Sequence, residues 1–383
     1  MKKALMFASV ASMIQQFNME NIKLLQSLGY KVDVACNFQF GSTITQEKIE
    51  KLKQELRNLS VEYHDIPIPR KISNIKDLNK SFKLTKKLMN KENYNLIHCH
   101  SPIGGVICRI ANKNSNNYKN SKMIYTAHGF HFFKGNSIMK NFIFRSIERY
   151  CARLSDIIIT INKEDYIAAQ KFKLKNDGKV EYVPGIGINL DFINTAIGDK
   201  FRLCKEINVS KDSILLLSVG ELSKRKNHIV MINALKGLPN NVHYLICGKG
   251  DLEKSYRELS QRLGVSDRVH LLGFRSNIIE IMKSSDIFIF PSLQEGLPVA
   301  LMEAMACGLP CIASSIRGNV DLLDKKNGIL IDKNISSSYI EAINTICENK
   351  TLKKELINNA QKNSIHYSTR VINDMMVNIY TDR

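Results

Sequence analysis

Two successive series of short apolar, β-branched runs, broken once by Val183-Pro184-Gly185-Ile186-Gly187, constrain this chain more than any other feature. In the first series Ala4 to Val10, Val32 to Cys36, Val61 to Ile66, Leu96 to His100, Met123 to Ala127, Asp156 to Ile161 and Val180 to Val183 read as strands. The segments between them are long enough for crossover helices. Runs that are apolar throughout belong to parallel strands covered on both faces, so the series predicts a doubly wound α/β sheet. A second series starts at Ile214 to Val219 and continues through Val242 to Cys247, Val269 to Leu272, Asp286 to Phe290, Pro310 to Ser314 and Gly328 to Ile331. Helical stretches follow near Ser337 to Asn349, Leu352 to Asn363 and Thr369 to Tyr380. A length of 383 residues exceeds what one core usually holds, and the rigid proline with two permissive glycines marks the boundary. The expected domains are 1–185 and 186–366, with a closing helix in 367–383. Two facing sheets of this kind leave a cleft at the carboxyl ends of their strands, where ligands bind.

The net charge of +19 is unevenly spread. Residues 1–190 hold 30 Lys+Arg against 15 Asp+Glu, leaving 25 against 21 for the remainder. The excess concentrates from Arg70-Lys71 to Lys91 and from Lys134 to Arg153, where Ile138, Phe142, Ile143, Phe144 and Ile147 interleave with Lys140, Arg145 and Arg149. Such basic, partly amphipathic segments suit docking on an anionic membrane surface. No apolar run reaches the roughly 18 to 20 residues of a membrane span. The basic and apolar start, Met1 to Val10, gives way to Gln15, Gln16, Asn18 and Glu20 and reads as a first strand rather than a signal peptide. Nine scattered cysteines lack zinc or redox spacing, which points to reduced thiols and a cytoplasmic protein.

The chemistry concentrates where Asp286-Ile287-Phe288-Ile289-Phe290 runs into Pro291-Ser292-Leu293-Gln294-Glu295-Gly296-Leu297-Pro298 and a helix carrying Glu303. Pro298 stands where a first helical turn tolerates proline, and Glu303 lies roughly 7 Å farther up the helix. An elongated ligand could touch both carboxylates and leave phosphates at the helix N-terminus. This stretch resembles the glutamate-x7-glutamate signature of the family 4 retaining glycosyltransferases, enzymes of the GT-B fold. The resemblance implies that Glu295 contacts donor-sugar hydroxyls and Glu303 the ribose, with Gly296, Leu297 and Pro298 of the loop also among the donor-binding residues. It also implies that the terminal helix crosses back to the N-terminal domain.

Gly220-Glu221-Leu222-Ser223-Lys224-Arg225-Lys226-Asn227 resembles the family's Gly-Arg-x4-Lys diphosphate site. Lys226 matches its lysine. Glu221 replaces its arginine, leaving Lys224 or Arg225 to supply the second cation, with Glu221 orienting one of them. No Asp-x-Asp motif is present to hold a metal on a diphosphate, so neither metal nor cofactor is expected. Tyr125-Thr126-Ala127-His128-Gly129-Phe130-His131 resembles the segment whose histidine faces the transferred sugar, so His128 is a catalytic candidate beside Glu295. It either bonds a sugar hydroxyl or sets its carbonyl near the reacting carbon. His98 and His100 share one side of a strand, and His100 is the acceptor-side candidate. Phe274 and Arg275 are candidates for bordering the nucleotide base, while Asn189 reads as hinge structure. The family's glycine-rich loop after the first strand is replaced by Ser9-Val10-Ala11-Ser12.

The expected activity is retaining, metal-independent transfer of a hexose from a nucleotide-sugar, with UDP the expected nucleotide. The expected acceptor is a polyprenyl-diphosphate-linked glycan in capsule or exopolysaccharide assembly, at the inner face of the plasma membrane and without nucleic acid. Two alternatives share parts of the pattern. A GT-B nucleotide-sugar epimerase shares the cleft, and a non-catalytic binder of anionic lipid or nucleic acid shares the charge.

Overall fold

The computed structural model describes every residue except 41–43, 72 and 383. The chain forms two units, Met1–Ile186 with Ile372–Arg383, and Gly187–Val371. The first contains β1 (Lys2–Val10), β2 (Tyr30–Asn37), β3 (Glu62–Asp65), β4 (Leu96–His100), β5 (Lys122–Ala127), β6 (Ile157–Thr160) and β7 (Lys179–Tyr182). These pair in parallel in the order β3-β2-β1-β4-β5-β6-β7. Alternation along β1 sends Ala4, Met6 and Ala8 into one core and Leu5 and Phe7 into the other, the signature of a sheet covered on both faces.

The second unit contains β8 (Ile214–Val219), β9 (Val242–Cys247), β10 (Val269–Gly273), β11 (Ile287–Phe290), β12 (Cys311–Ser314) and β13 (Ile329–Ile331), also parallel, in the order β10-β9-β8-β11-β12-β13. β11 and β12 are buried along their whole lengths, as uninterrupted Ile-Phe-Ile-Phe and Cys-Ile-Ala-Ser runs require. In each sheet the strand order reverses at one place, between β1 and β4 and between β8 and β11. Loops leaving the carboxyl ends on either side of such a switch point diverge and leave a crevice, which fixes where side chains can converge on a ligand.

The unit boundary falls one residue past the expected one. Ile188 accepts from Thr369 N at 2.9 Å and donates to Tyr367 O at 2.8 Å, which keeps residues 367–371 with the second unit. Gly187 has φ +79°, and a Cβ there would lie 2.6 Å from Thr369 Cα, so this crossing needs glycine. The Thr369–Thr381 helix then joins the first unit, where Ile372, Met376, Ile379 and Tyr380 enter the core against Ala4 and Ile124. Asn189 caps the short Leu190–Thr195 helix by accepting from Phe192 N at 2.9 Å. Among the described residues no helix is long and apolar enough to cross a membrane.

Candidate active site

In the second unit the loops after β8 and β11 flank the switch point, and their backbones are tied where Leu293 N donates to Arg225 O at 2.8 Å. Across this tie Glu295 Oε1 accepts from Arg225 Nη1 and from Lys226 Nζ, both at 2.8 Å. Lys226 Nζ also lies 4.5 Å from the centroid of the Phe290 ring, the last residue of β11. The Lys226 and Glu295 side chains are largely withdrawn from water. Burial lowers the Lys226 pKa, and Glu295 opposes that shift by attraction and by its hydrogen bond. One carboxylate thus holds two cations at the crevice, leaving one net positive charge to meet an anion.

The Glu295 carboxylate, expected to contact donor-sugar hydroxyls, is engaged here by Arg225 and Lys226. Arg225 is the loop cation that stands beside Lys226, where Glu221 offers none. Glu221 is exposed and makes no ion pair among the described residues, and it acts on Lys226 only as a nearby negative charge. Motif spacing did not point to Arg317, whose Nε donates to Glu295 O at 3.2 Å and pins the loop backbone. Nor did it reveal the left-handed Asn227 (φ 53°), whose amide donates to Pro291 O at 3.2 Å. Gly318, at φ +82°, lies so close to the loop that a Cβ would come 2.3 Å from Gly296 O. Leu297 is buried beneath the loop and Pro298 precedes the first turn of the Val299–Ala306 helix. Under the site, His228 Nδ1 meets Tyr244 Oη at 2.9 Å, and that hydroxyl donates to Ser218 Oγ at 2.8 Å, linking β8 and β9 to the loop.

Glu303 stands on the Val299–Ala306 helix with no hydrogen-bond or ion-pair partner for its carboxyl among the described residues. Burial pushes its pKa up from the ordinary 4.5 to about 7. Such a group is a ready acceptor for ligand hydroxyls. Gly248 and Gly250 after β9 serve packing, since a Cβ at Gly248 would lie 1.9 Å from Gly220 O and one at Gly250 would lie 2.5 Å from Leu222 O. The Arg275 guanidinium forms a two-pronged ion pair with Glu206 and donates through Nε to Asn277 at 3.1 Å. Phe274 is 66% exposed beside it, past the edge strand β10.

In the first unit His128 follows β5 and is half-buried. Its Nε2 lies 3.1 Å from His100 Nδ1, and Phe17 meets its ring edge-on at 5.4 Å. Burial lowers the His128 pKa to about 4, so the imidazole is neutral at physiological pH. His100 is corrected as an acceptor-side group, because it is 1% exposed with Met6 Sδ at 3.2 Å from its second nitrogen. It fixes the His128 ring instead. His98 is a structural link between Thr126 Oγ1 at 2.7 Å and Tyr380 Oη at 2.8 Å on the closing helix. At the end of β1, Ser9 stands where the family has a glycine-rich loop: its Oγ accepts from Gly104 N at 3.0 Å. Among the described residues, the one group with metal-ligand spacing is Asp33, Glu62 and His64, far in sequence from these loops and already carrying a Lys31–Glu62 contact at 3.5 Å. All nine cysteines are free thiols.

The family described as "Glycosyl transferases group 1" matches residues 199–363, and "Glycosyl transferase 4-like" matches residues 4–162. An Escherichia coli protein named UDP-Gal:alpha-D-GlcNAc-diphosphoundecaprenol alpha-1,3-galactosyltransferase is 32% identical over 74% of this chain and 74% of its own. EpsD of Bacillus subtilis (strain 168), provisionally described as a glycosyltransferase, is 29% identical over 99% of this chain and 96% of its own. Among solved structures, Anabaena Alr3699/HepE in complex with UDP-glucose has a TM-score of 0.78 at 19% identity, with 100% of both chains covered.

Proposed function

This chain belongs to the family 4 glycosyltransferases, which have the GT-B fold, and on that basis we propose that it moves a hexose from a UDP-sugar to a polyprenyl-diphosphate-linked glycan in exopolysaccharide or capsule assembly. The transfer proceeds with retained configuration and without a metal. The observation that carries the proposal is the pairing of Arg225 and Lys226 on Glu295 at the switch point of the second sheet. As the bond between the anomeric carbon and the β-phosphate oxygen breaks, negative charge grows on the departing diphosphate. Arg225 and Lys226, already oriented by Glu295, stabilise that charge without reorganisation. The leaving phosphate takes the proton of the acceptor hydroxyl on the same face of the sugar, so no side chain is needed as a base. Glu303 accepts hydrogen bonds from the ribose, and neutral His128 meets a sugar hydroxyl.

Several observations support the finer points. The α-1,3 linkage in the name of the E. coli relative is what retention from an α-linked UDP-sugar gives. Arg225 and Lys226, two cations against the one Glu295 carboxylate, leave positive charge to meet a diphosphate without a metal. Association with an anionic membrane at the cytoplasmic face is supported by the Ile138–Ala152 helix, where Ile138, Met139 and Phe142 are 89%, 73% and 74% exposed beside Lys140. The test is product analysis with UDP-sugars and lipid-linked acceptor: NMR of the new linkage is expected to show the donor's configuration, with the rate unchanged by EDTA. An inverted linkage, a UDP-sugar isomer without transfer, or abolition by EDTA would each refute the part concerned.

A further inference from the structure

The first unit holds a cavity of about 830 Å³ that the donor chemistry leaves unused. That volume is in the range of small-molecule sites. Its wall is aliphatic and aromatic, made by Ile103, Val106 and Ile110 of the Pro102–Lys113 helix and by Phe144 and Ile147 of the Ile138–Ala152 helix. The floor is polar but self-neutralised. Glu148 accepts from Arg109 at 3.0 Å and from Tyr125 Oη at 3.2 Å, and the guanidinium lies 3.8 Å from the Tyr125 ring centroid. The lining also includes Arg70 and Lys71, both exposed.

An apolar cavity with two water-facing cations on its lining is complementary to an amphiphile with an anionic head. The same helix that walls the cavity through Phe144 and Ile147 carries Ile138, Met139, Phe142 and Ile143 as exposed apolar residues. A lipid layer covering those residues would abut the cavity. Resting on the acceptor reading above, we propose that this cavity takes the first isoprenyl units of the polyprenyl-diphosphate acceptor, with Arg70 and Lys71 meeting its diphosphate. The cavity is too small for a whole long-chain polyprenol, so the remaining units stay in the membrane.

The test titrates the full-length protein, held saturated with UDP so that the Arg225–Lys226 site is occupied, with inorganic diphosphate, farnesyl diphosphate and geranylgeranyl diphosphate. Affinity is expected to rise with chain length, by at least about tenfold from inorganic to geranylgeranyl diphosphate. Val106→Trp or Ile147→Trp, each filling the cavity, should abolish that gain while UDP affinity and thermal midpoint stay unchanged. Arg70→Ala with Lys71→Ala should weaken all three probes by a similar factor. If the chain-length gain persists in folded Trp variants, the cavity assignment falls and the acceptor reading survives. If prenyl diphosphates bind no better than inorganic diphosphate and no lipid-linked glycan accepts sugar from the wild type, the acceptor reading itself falls. Equal displacement of the probes by phosphatidylglycerol vesicles would assign the cavity to bulk lipid and overturn the proposal. Should both Trp variants fail to fold, the wild-type comparison of inorganic and geranylgeranyl diphosphate still decides.

Discussion

Glu303→Gln replaces a largely buried carboxyl that titrates at about 7 with an amide of nearly the same shape that never ionises. In the unfolded chain the carboxyl titrates near its ordinary 4.5. Below that value it is protonated in both states and imposes no penalty. Between 4.5 and about 7 the unfolded chain gives up the proton while the folded chain keeps it, so folding stability falls as pH rises, with the full penalty reached above pH 7. The shift corresponds to about 3 kcal/mol. Glutamine escapes this penalty, and Glu303→Gln is therefore expected to be more stable than the wild type at pH 8 and equal to it near pH 4.5. In thermal melts the difference at pH 8 should be roughly 6 to 12 °C for the unit that carries it. Function should move the other way. Losing a charged acceptor for ribose hydroxyls is expected to weaken UDP binding by about 1.5 to 3 kcal/mol, roughly tenfold or more. In the wild type, UDP affinity should fall as pH drops below 7, and in Glu303→Gln it should be flat there. A variant no more stable than wild type at pH 8, or one that binds UDP equally well, would refute the reasoning.

Other perturbations separate the remaining roles. Lys226→Met should lower kcat by about 100-fold or more in a protein that still melts cooperatively, with a lower midpoint because Glu295 keeps only Arg225 as partner, and Lys226→Arg should recover part of the rate. Glu295→Gln should cost more than a lost sugar contact: both cations lose their common partner, and kcat should drop together with UDP affinity in a steady-state assay. His128→Asn should lower kcat without removing any limb of the pH–rate profile between 5 and 7, because the imidazole is already neutral there; loss of a limb near 6.5 would contradict the burial argument. Gly318→Ala must push the Gly296 carbonyl aside from 2.3 Å, so weaker UDP binding with little change at the first unit is expected from titration and hydrogen exchange.

The sheets were legible because the central strands are short apolar runs, and the observed strands, β1 to β13, overlap the runs read from the sequence, including the polar edge strands β3 (Glu-Tyr-His-Asp) and β7 (Lys-Val-Glu-Tyr). The closing helix was legible for a similar reason, since Ile372, Met376, Ile379 and Tyr380 recur at helical spacing. Motif spacing also led to Lys226, Glu295, Glu303 and His128. What it did not carry was who holds whom. Glu295 and Arg225 are 70 positions apart, and only the strand order that places β8 beside β11 brings their loops together. Motif position marks Arg275 as a residue beside the nucleotide base, but its pairing with Glu206, 69 positions away, leaves no trace in the sequence. His100 shares its strand side with His98 as period two requires, but the sequence does not tell that this side is covered by Met6 and the closing helix. Arg317 sits in a loop without periodicity, and its bond to the Glu295 carbonyl leaves no local signature.

The most direct test is transfer of radiolabel from UDP-sugars into an extract of membrane lipids by the purified wild type and by Lys226→Met. The structure leads to the expectation of lipid-soluble label with at least one donor, reduced at least about 100-fold in a folded Lys226→Met protein. Label that never leaves the aqueous phase, or equal transfer by both proteins, would contradict it.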